Sequence, residues 1–470
     1  MTSLIIGQGG MPSTPTKKQS VINPVLIPKG EHPVTFADIS DNTLSVLRRL
    51  NAKGYEAYLV GGCIRDKLMG KTPKDFDVAT NATPEQVKEC FRNCRLIGRR
   101  FRLAHIVFGR DVIEVATFRG HHEDVNANEE ENKTQVKGRR GNQVDDVLAK
   151  QDQQGQLLRD NVFGSIEEDA ERRDFTFNAM YFSAKDQCII DFADGMSSIK
   201  EKKIELIGDP ATRFREDPVR MIRAIRFSAK LGMSIPAEVG DQIKELAHLL
   251  ANIPPARLFE EVLKLLVSGC GLRTFHLLHE YGLFTQLFPQ LAPLLIDDTC
   301  REMKLVEKVL KNTDDRLNNE QRVTPAFLYA AFLWYPVEER TQLIMSESGV
   351  AHHDAFNIAV GEVLHRQTQR IMIPKRFSMP VREMWQLQLR LPKRFGRRAY
   401  QTLSHPRFRA AYDFLLIRGE IEGGDLHELG EWWTEFQEVT PEQRKDMITD
   451  LRKEAGTPKK RKFNKKRKAN

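Results

Sequence analysis

Two glycines and two carboxylates stand about a dozen residues apart in the first quarter of the chain: Gly61-Gly62 and Asp75-Phe76-Asp77. Strand side chains alternate faces, so residues two apart share one. A strand here would set Asp75 and Asp77 side by side and turn Phe76 toward a core. Paired carboxylates repel, and keeping both ionised calls for a compensating cation. A divalent metal suits them, because Mg2+ is bound through one or two carboxylates together with substrate phosphates. The glycines fit the same chemistry. Without Cβ atoms, Gly61 and Gly62 let backbone approach phosphates, and the helix that follows offers its N-terminus to an anion. A phosphate loop joined to a metal-binding carboxylate pair suits phosphoryl or nucleotidyl transfer.

Other residues extend this chemistry. Glu114 lies in the alternating run Val112-Ile-Glu-Val-Ala-Thr-Phe-Arg119, on the face opposite Ile113, Val115 and Thr117. It is either an edge residue or a third carboxylate near the metals. Arg172 and Arg173 supply guanidiniums, which grip phosphates bidentately and offset transition-state charge. Asp174 and Asn178, one turn apart, share a face and can hold a ribose or orient an arginine. Pro218 follows Glu216 and Asp217 at the start of a helix with an apolar stripe of Ile222, Ile225 and Ala229. Arg220, Arg223 and Arg226 form a basic ridge along it. Cys90 and Cys94 read as packing, His121-His122-Glu123 as a solvated loop, and His352-His353-Asp354 as a helix cap or surface.

Gly61-Gly62-x-x-Arg65-Asp66-x-Leu-x-Gly70, followed by Asp75-x-Asp77, resembles the signature of the class II nucleotidyltransferases. That family contains the bacterial poly(A) polymerases and the CCA-adding tRNA nucleotidyltransferases. Arg172-Arg-Asp-Phe-Thr-x-Asn-Ala179 is similar to its second motif, with Phe177 where an aliphatic residue is expected. Glu216-Asp-x-x-Arg220 is similar to its nucleotide-reading motif. Leu96-Ile-Gly-Arg-Arg-Phe-Arg-Leu-Ala-His-Ile106 resembles the segment that separates the poly(A) polymerases from their CCA-adding relatives. These motifs span roughly residues 55 to 290, with a weaker likeness to about 440.

The resemblance implies an α+β fold: a nucleotidyltransferase head with a small mixed sheet and helices, then an all-helical neck, body and tail region. It implies that Asp75 and Asp77 hold two Mg2+ ions, with Asp174 also catalytic. Gly61, Gly62, Arg65, Asp66, Arg172, Arg173 and Asn178 would position the nucleotide and its phosphates, and Glu216, Asp217 and Arg220 would read its base. The implied reaction transfers AMP from ATP to single-stranded RNA 3′ ends and releases pyrophosphate, in the cytoplasm, with RNA-decay proteins as partners. A CCA-adding enzyme would use CTP and ATP and stop after three additions. A catalytically idle RNA-binding protein on the same fold is the other alternative.

The elements that must place these residues follow from local pattern. Ser40 caps a helix over 41–53 with Leu44, Leu47 and Leu50 on its apolar stripe. Tyr58–Val60 is a strand, and Ile64–Met69 a short helix stopped by Gly70. Thr83 and Pro84 open a helix through Cys94. One strand over Arg95–Phe108 and a second over Val112–Arg119 come next. Ser165 and Glu168 form a capping box. Ile189–Gly195 is a strand ending in a turn, and from about 236 the chain is helical.

The 470 residues suit about three domains, and 40% apolar content is enough for real cores. No run approaches the ~18 apolar residues of a membrane span, and the N-terminus lacks the pattern of a signal peptide. Six scattered cysteines suit a reducing compartment. The net charge of +8 matches the eight basic residues of Lys459–Lys468, which suit a polyanion. The basic, aromatic stretch Arg390–Arg409 suits RNA contacts. The expected organisation is a flexible N-terminus (1–32), a catalytic head (33–120), a flexible insertion (121–160), a neck (161–235), a helical RNA-binding body (236–455) and a basic tail (456–470).

Overall fold

The computed structural model describes residues 23–98, 102–120, 149–151, 157–160 and 162–455. The chain forms two compact units that divide between Asp209 and Pro210. The boundary falls inside the segment expected as a neck.

The first unit is built on an eight-stranded mixed sheet. Its strands are β1 (Val25–Ile27), β2 (Ala57–Val60), β3 (Asp77–Thr80), β4 (Cys94–Ile97), β5 (Leu103–Phe108), β6 (Asp111–Thr117), β9 (Met180–Ser183) and β10 (Ile189–Asp191). Two more, β7 (Ala149–Gln151) and β8 (Leu157–Asp160), pair as a hairpin at the end of the expected insertion. The order across the sheet is β1-β10-β9-β2-β3-β6-β5-β4. β3 and β6 run parallel, and the other neighbours are antiparallel. β1 falls in the stretch expected to be a flexible N-terminus, and β9 and β10 in the expected neck. All three are sheet strands.

Local sequence explains the helices of this unit. In α1 (Asp41–Ala52), the Ser40 hydroxyl accepts from the Thr43 N–H, and Leu44, Val46, Leu47 and Leu50 are buried. α2 (Gly62–Leu68) starts two residues earlier than the pattern suggests, directly at the glycine pair. α3 (Pro84–Cys90) begins with a complete Thr83–Gln86 capping box and stops at Cys90, because Cys94 already opens β4. α4 (Ile166–Glu171) carries the Ser165–Glu168 capping box, and α5 (Gly195–Glu201) follows β10.

Arg95–Phe108 is two strands rather than one. Gly98 takes φ +94°, open to glycine and strained for other residues. The chain then folds back to pair Cys94 with Ile106 and Ile97 with Leu103. The flanks of the following insertion are tied together. Arg119 bridges Phe163, the Gly120 N–H donates to Val162 O, and the Gly164 N–H donates to Phe118 O. A Cβ on Gly164 would lie 2.4 Å from the Gly120 Cα, so only glycine permits this closure. Residues 121–148, which include His121-His122-Glu123, lie outside the described residues.

The second unit is helical. α6 (Pro210–Glu216) and α7 (Val219–Leu231) are followed by α8 (Ala237–Leu246), α9 (Pro255–Leu266) and further helices to Pro441–Ala455. α7 buries Ile222, Ile225 and Ala229 as expected. Its arginine ridge is not a solvated face, since Arg220 is buried and Arg226 sits 3.9 Å from the inward Glu261. The apolar helix Pro325–Phe332 is core, and the Trp385 indole N–H donates to Ala330 O above it. His352 and His353 are exposed at a helix start. Among the described residues no helix is long and apolar enough to cross a membrane.

Candidate active site

Asp77 is the first residue of β3. Its backbone register sets it opposite Val60 of β2 on one side and Glu114 of β6 on the other. Asp75 precedes the strand and is exposed, and Phe76 is half-buried. Strand pairing begins only at Asp77, so Asp75 lies in the connection just ahead of β3 rather than within it. Their charges still meet. The Asp77 carboxylate reaches solvent, yet dense surroundings desolvate it and push its pKa up to about 6. Glu114 and then Asp75 add to the rise, while the Arg173 guanidinium opposes it. Glu114 projects from β6, an interior strand between β3 and β5, on the face opposite buried Ile113, Val115 and Thr117. Its carboxylate lies 3.5 Å from His105. Behind Asp77, the Cys63 thiol is buried and pushed up to about 12 by desolvation, then by Asp77. That thiol is inert packing.

Gly61 joins β2 to α2 with φ +75°. Its N–H donates to Met180 O, which ties the loop to β9. A Cβ at Gly61 would stand 3.5 Å from the Arg173 Nη1, so that guanidinium lies against the glycine loop. Arg173 is firmly held. Its Nε and Nη2 donate to Asp169 Oδ2 at 3.2 and 2.9 Å, and Nε also donates to the Tyr181 hydroxyl at 2.8 Å. Tyr181 in turn donates to Asp169 Oδ2 at 2.6 Å, and Arg173 Nη1 donates to Asn178 O. Arg173, beside it, lowers the pKa of buried Asp169 against the desolvation that raises it.

Arg65 is placed differently from the expectation. It is buried, and its guanidinium is spent inside the unit: Nε and Nη2 donate to Asp66 Oδ1 at 2.9 and 2.6 Å, and Nη1 to Asn178 Oδ1 at 2.8 Å. Asn178 donates from Nδ2 to Asp174 Oδ1 at 2.9 Å. Asp174, Asn178, Arg65 and Asp66 thus form a relay that locks α2 to the single 3-10 turn Thr176–Asn178. Phe177 is fully buried there, stacked on Phe175 at 5.4 Å and facing the Arg65 guanidinium at 5.9 Å. Arg172 donates to the Gly120 carbonyl. Gly62 begins α2, and a Cβ on it would meet Arg65 Nη2 at 3.4 Å.

In the second unit, Arg220 Nη1 donates to Glu216 Oε2 at 2.8 Å and to the Arg213 carbonyl at 2.9 Å. Arg213 shares the same Glu216 oxygen at 2.8 Å. Asp217 accepts from Arg257 Nη2 at 2.6 Å. Three residues of these networks were not legible as site residues. Asp169 lies on α4 and Arg173 four residues later, two past the end of that helix, a spacing that does signal an ion pair. Tyr181 and Arg257 carry no local signal, since their partners come from other elements.

The glycine loop, the carboxylates beside it and the held arginine stand together in the first unit, and similarity to known proteins makes that unit the head of a nucleotidyltransferase. The fold is similar to that of a solved CCA-adding enzyme in an apo form, with a TM-score of 0.58 at 17% identity, over 88% of this chain and 93% of that one. Family models narrow the class. Residues 57–205 match the poly A polymerase head domain, 232–295 the probable RNA and SrmB-binding site of polymerase A, and 348–468 the polymerase A arginine-rich C-terminus. Poly(A) polymerase I of Escherichia coli O157:H7 is 52% identical over 441 residues, 93% of this chain and 91% of that protein. The CCA-adding enzyme of Geobacillus thermodenitrificans is 37% identical over 253 residues, 53% of this chain and 54% of its own. The chain belongs to the bacterial poly(A) polymerase family and is an adenylyltransferase.

Proposed function

We propose that the chain extends single-stranded RNA 3′ ends with AMP from ATP, using divalent metal held at Asp77 and Asp75. The carrying observation is the setting of Asp77: its dense surroundings desolvate the carboxyl, Glu114 and then Asp75 add their repulsion, and its pKa rises to about 6. Backbone register enforces that repulsion, and a divalent cation relieves it. The donors are hard carboxylate oxygens, which suit Mg2+ with the remaining positions left to phosphates. Among the described residues no group of three or more His, Cys, Asp or Glu side chains stands close enough to hold a metal ion, which leaves Asp77 and Asp75 as the proposed pair. Two bound Mg2+ ions would activate the 3′ hydroxyl and neutralise the triphosphate. Glu114 is the candidate third carboxylate.

The chain's own residues do the rest. The Gly61 loop lets the triphosphate approach backbone, and Arg173 sets its positive charge beside that loop. Asp169 and Tyr181 fix Arg173 before substrate arrives, so no reorganisation is needed as charge builds on the phosphates. Arg65, Asp66, Asn178 and Asp174 hold the loop's helix. The RNA 3′ oxygen bonds to the α-phosphorus as the bond to pyrophosphate breaks. Glu216, Asp217 and Arg220, with Arg257 added, read the adenine. The setting is the cytoplasm, with RNA-decay proteins as partners. Incubating the protein with labelled RNA and each nucleoside triphosphate separately tests this. Long ladders with ATP alone are expected; addition of two C residues and one A, with no further growth, would overturn the reading.

A further inference from the structure

The register of the sheet places four polar residues in one row. Asp77 of β3 is opposite Glu114 of β6, Glu114 is opposite His105 of β5, and His105 is opposite Arg95 of β4. Directly opposed residues share a face, so the row lies on one side of the sheet. That side is open: Asp77, Glu114 and Arg95 are exposed, and His105 is half-buried. Adjacent strands stand about 4.8 Å apart, so the row runs about 14 Å from the carboxylates to the arginine. Its charge changes along the way, from two carboxylates through a histidine to a cation. His105 contacts Glu114 at 3.5 Å. Arg102, on the same hairpin, is engaged with Glu85 at 2.7 Å. Arg95 has no ion-pair or side-chain hydrogen-bond partner among the described residues.

Direction comes from the strand order β9-β2-β3-β6-β5-β4. The Gly61 loop follows β2, and Arg173 stands against it, so the triphosphate cradle flanks Asp77 on the β2 side. Phosphoryl transfer keeps the attacking and leaving oxygens roughly in line. With pyrophosphate leaving on the β2 side, the attacking 3′ hydroxyl must enter from the β6 side. The row Glu114–His105–Arg95 occupies that side. We infer that it is the seat of the RNA 3′ end: the terminal nucleotide lies over Glu114 and His105, and Arg95 takes a backbone phosphate just upstream. This rests on the polymerase reading above. It also gives the β4–β5 hairpin a task, since without the turn at Gly98 Arg95 would not stand beside His105.

The test uses the full chain and a labelled oligo(A) primer. Arg95→Ala is compared with Arg92→Ala, an exposed arginine ahead of β4 and outside the row. Primer affinity is measured by anisotropy across a salt series, with KM for primer and for ATP determined separately. One lost contact to single-stranded phosphate lowers the log–log salt slope by about 0.7. Arg95→Ala should show that decrease and a several-fold rise in primer KM, with KM for ATP unchanged and Arg92→Ala like wild type. A primer carrying a photoreactive base at its penultimate position should crosslink to β4 or β5, within 94–97 or 103–106. Salt slope and primer KM equal to those of Arg92→Ala, in a wild type that extends RNA with ATP, would overturn the row while leaving the polymerase reading intact. A wild type that adds no AMP would overturn the polymerase reading itself.

Discussion

Tyr181→Phe isolates the holding of Arg173 from its charge. Tyr181 is fully buried, and its ring packs on Phe192 at 5.4 Å and faces the Arg173 guanidinium at 5.1 Å. Phenylalanine keeps both contacts and removes the hydroxyl alone. That hydroxyl donates to Asp169 at 2.6 Å and accepts from Arg173 Nε at 2.8 Å. Hydrogen bonds to charged groups contribute roughly 1.5–3 kcal/mol each. Asp169 and Arg173 remain paired at 2.9 Å, so neither charge is orphaned, and the net loss is set near the cost of one such bond, about 2 kcal/mol. For a unit of this size, that lowers the melting temperature by roughly 4–8 °C. An Arg173 that keeps its Asp169 bonds but has lost the tyrosine partner at Nε then spreads over several positions beside Gly61. A tenfold fall in kcat/KM for ATP, about 1.4 kcal/mol, is expected. The assay pairs thermal melting with steady-state AMP incorporation on oligo(A). Melting shifted as expected with kcat/KM for ATP unchanged would refute the positioning role and leave Tyr181 a core residue.

Asp77→Asn should abolish AMP transfer and flatten the pH dependence of metal-free stability. The native carboxyl is raised to about 6 from 3.8, so the folded chain takes up a proton that the unfolded chain does not hold in that window. Stability without metal therefore rises as pH falls from about 7 toward 4, and melting scans with and without the substitution check the sign. Arg257→Ala removes the 2.6 Å partner of Asp217 and should lower discrimination of ATP against CTP and UTP, read from kcat/KM for each; unchanged ratios would take Asp217 out of base reading. Truncation after Thr457 removes eight cations. If about four of them meet phosphates of one strand, the RNA salt slope should fall by about 3 and products per binding event should shorten, while single-turnover incorporation stays the same.

The glycine pair, the aspartates and the arginine motifs were legible because local chemistry dictates them: a loop without Cβ atoms, hard oxygens for a metal, guanidiniums for phosphate. Their final placement was not. Alternation says which residues share a face only after a strand's first residue is known. Asp77 begins β3 because Val60 and Glu114 are its backbone partners, and Asp75 has none. Arg65 reads as a phosphate ligand beside the loop, yet Asn178 arrives from 113 residues away to claim it. The β4–β5 hairpin hid for a similar reason. Arginines interleaved with apolar residues keep a continuous strand pattern straight through Gly98, and nothing local announces that the chain turns there.

Register also explains why the site is costly and therefore useful. The β2–β3–β6 hydrogen bonds fix the Asp77 and Glu114 backbones as neighbours, so their carboxylates can turn but cannot part. Arg173 offsets some of this repulsion, and it stays close because Asp169 and Tyr181 hold it there. A freely moving arginine would collapse onto Asp77 and compete with metal. Held by its own carboxylate against the Gly61 loop, it leaves Asp77 underneutralised, which is the condition a divalent cation satisfies. In the proposed reaction, Asp169 and Tyr181 thus act through Arg173, holding a needed positive charge against the Gly61 loop and out of the place a metal would take.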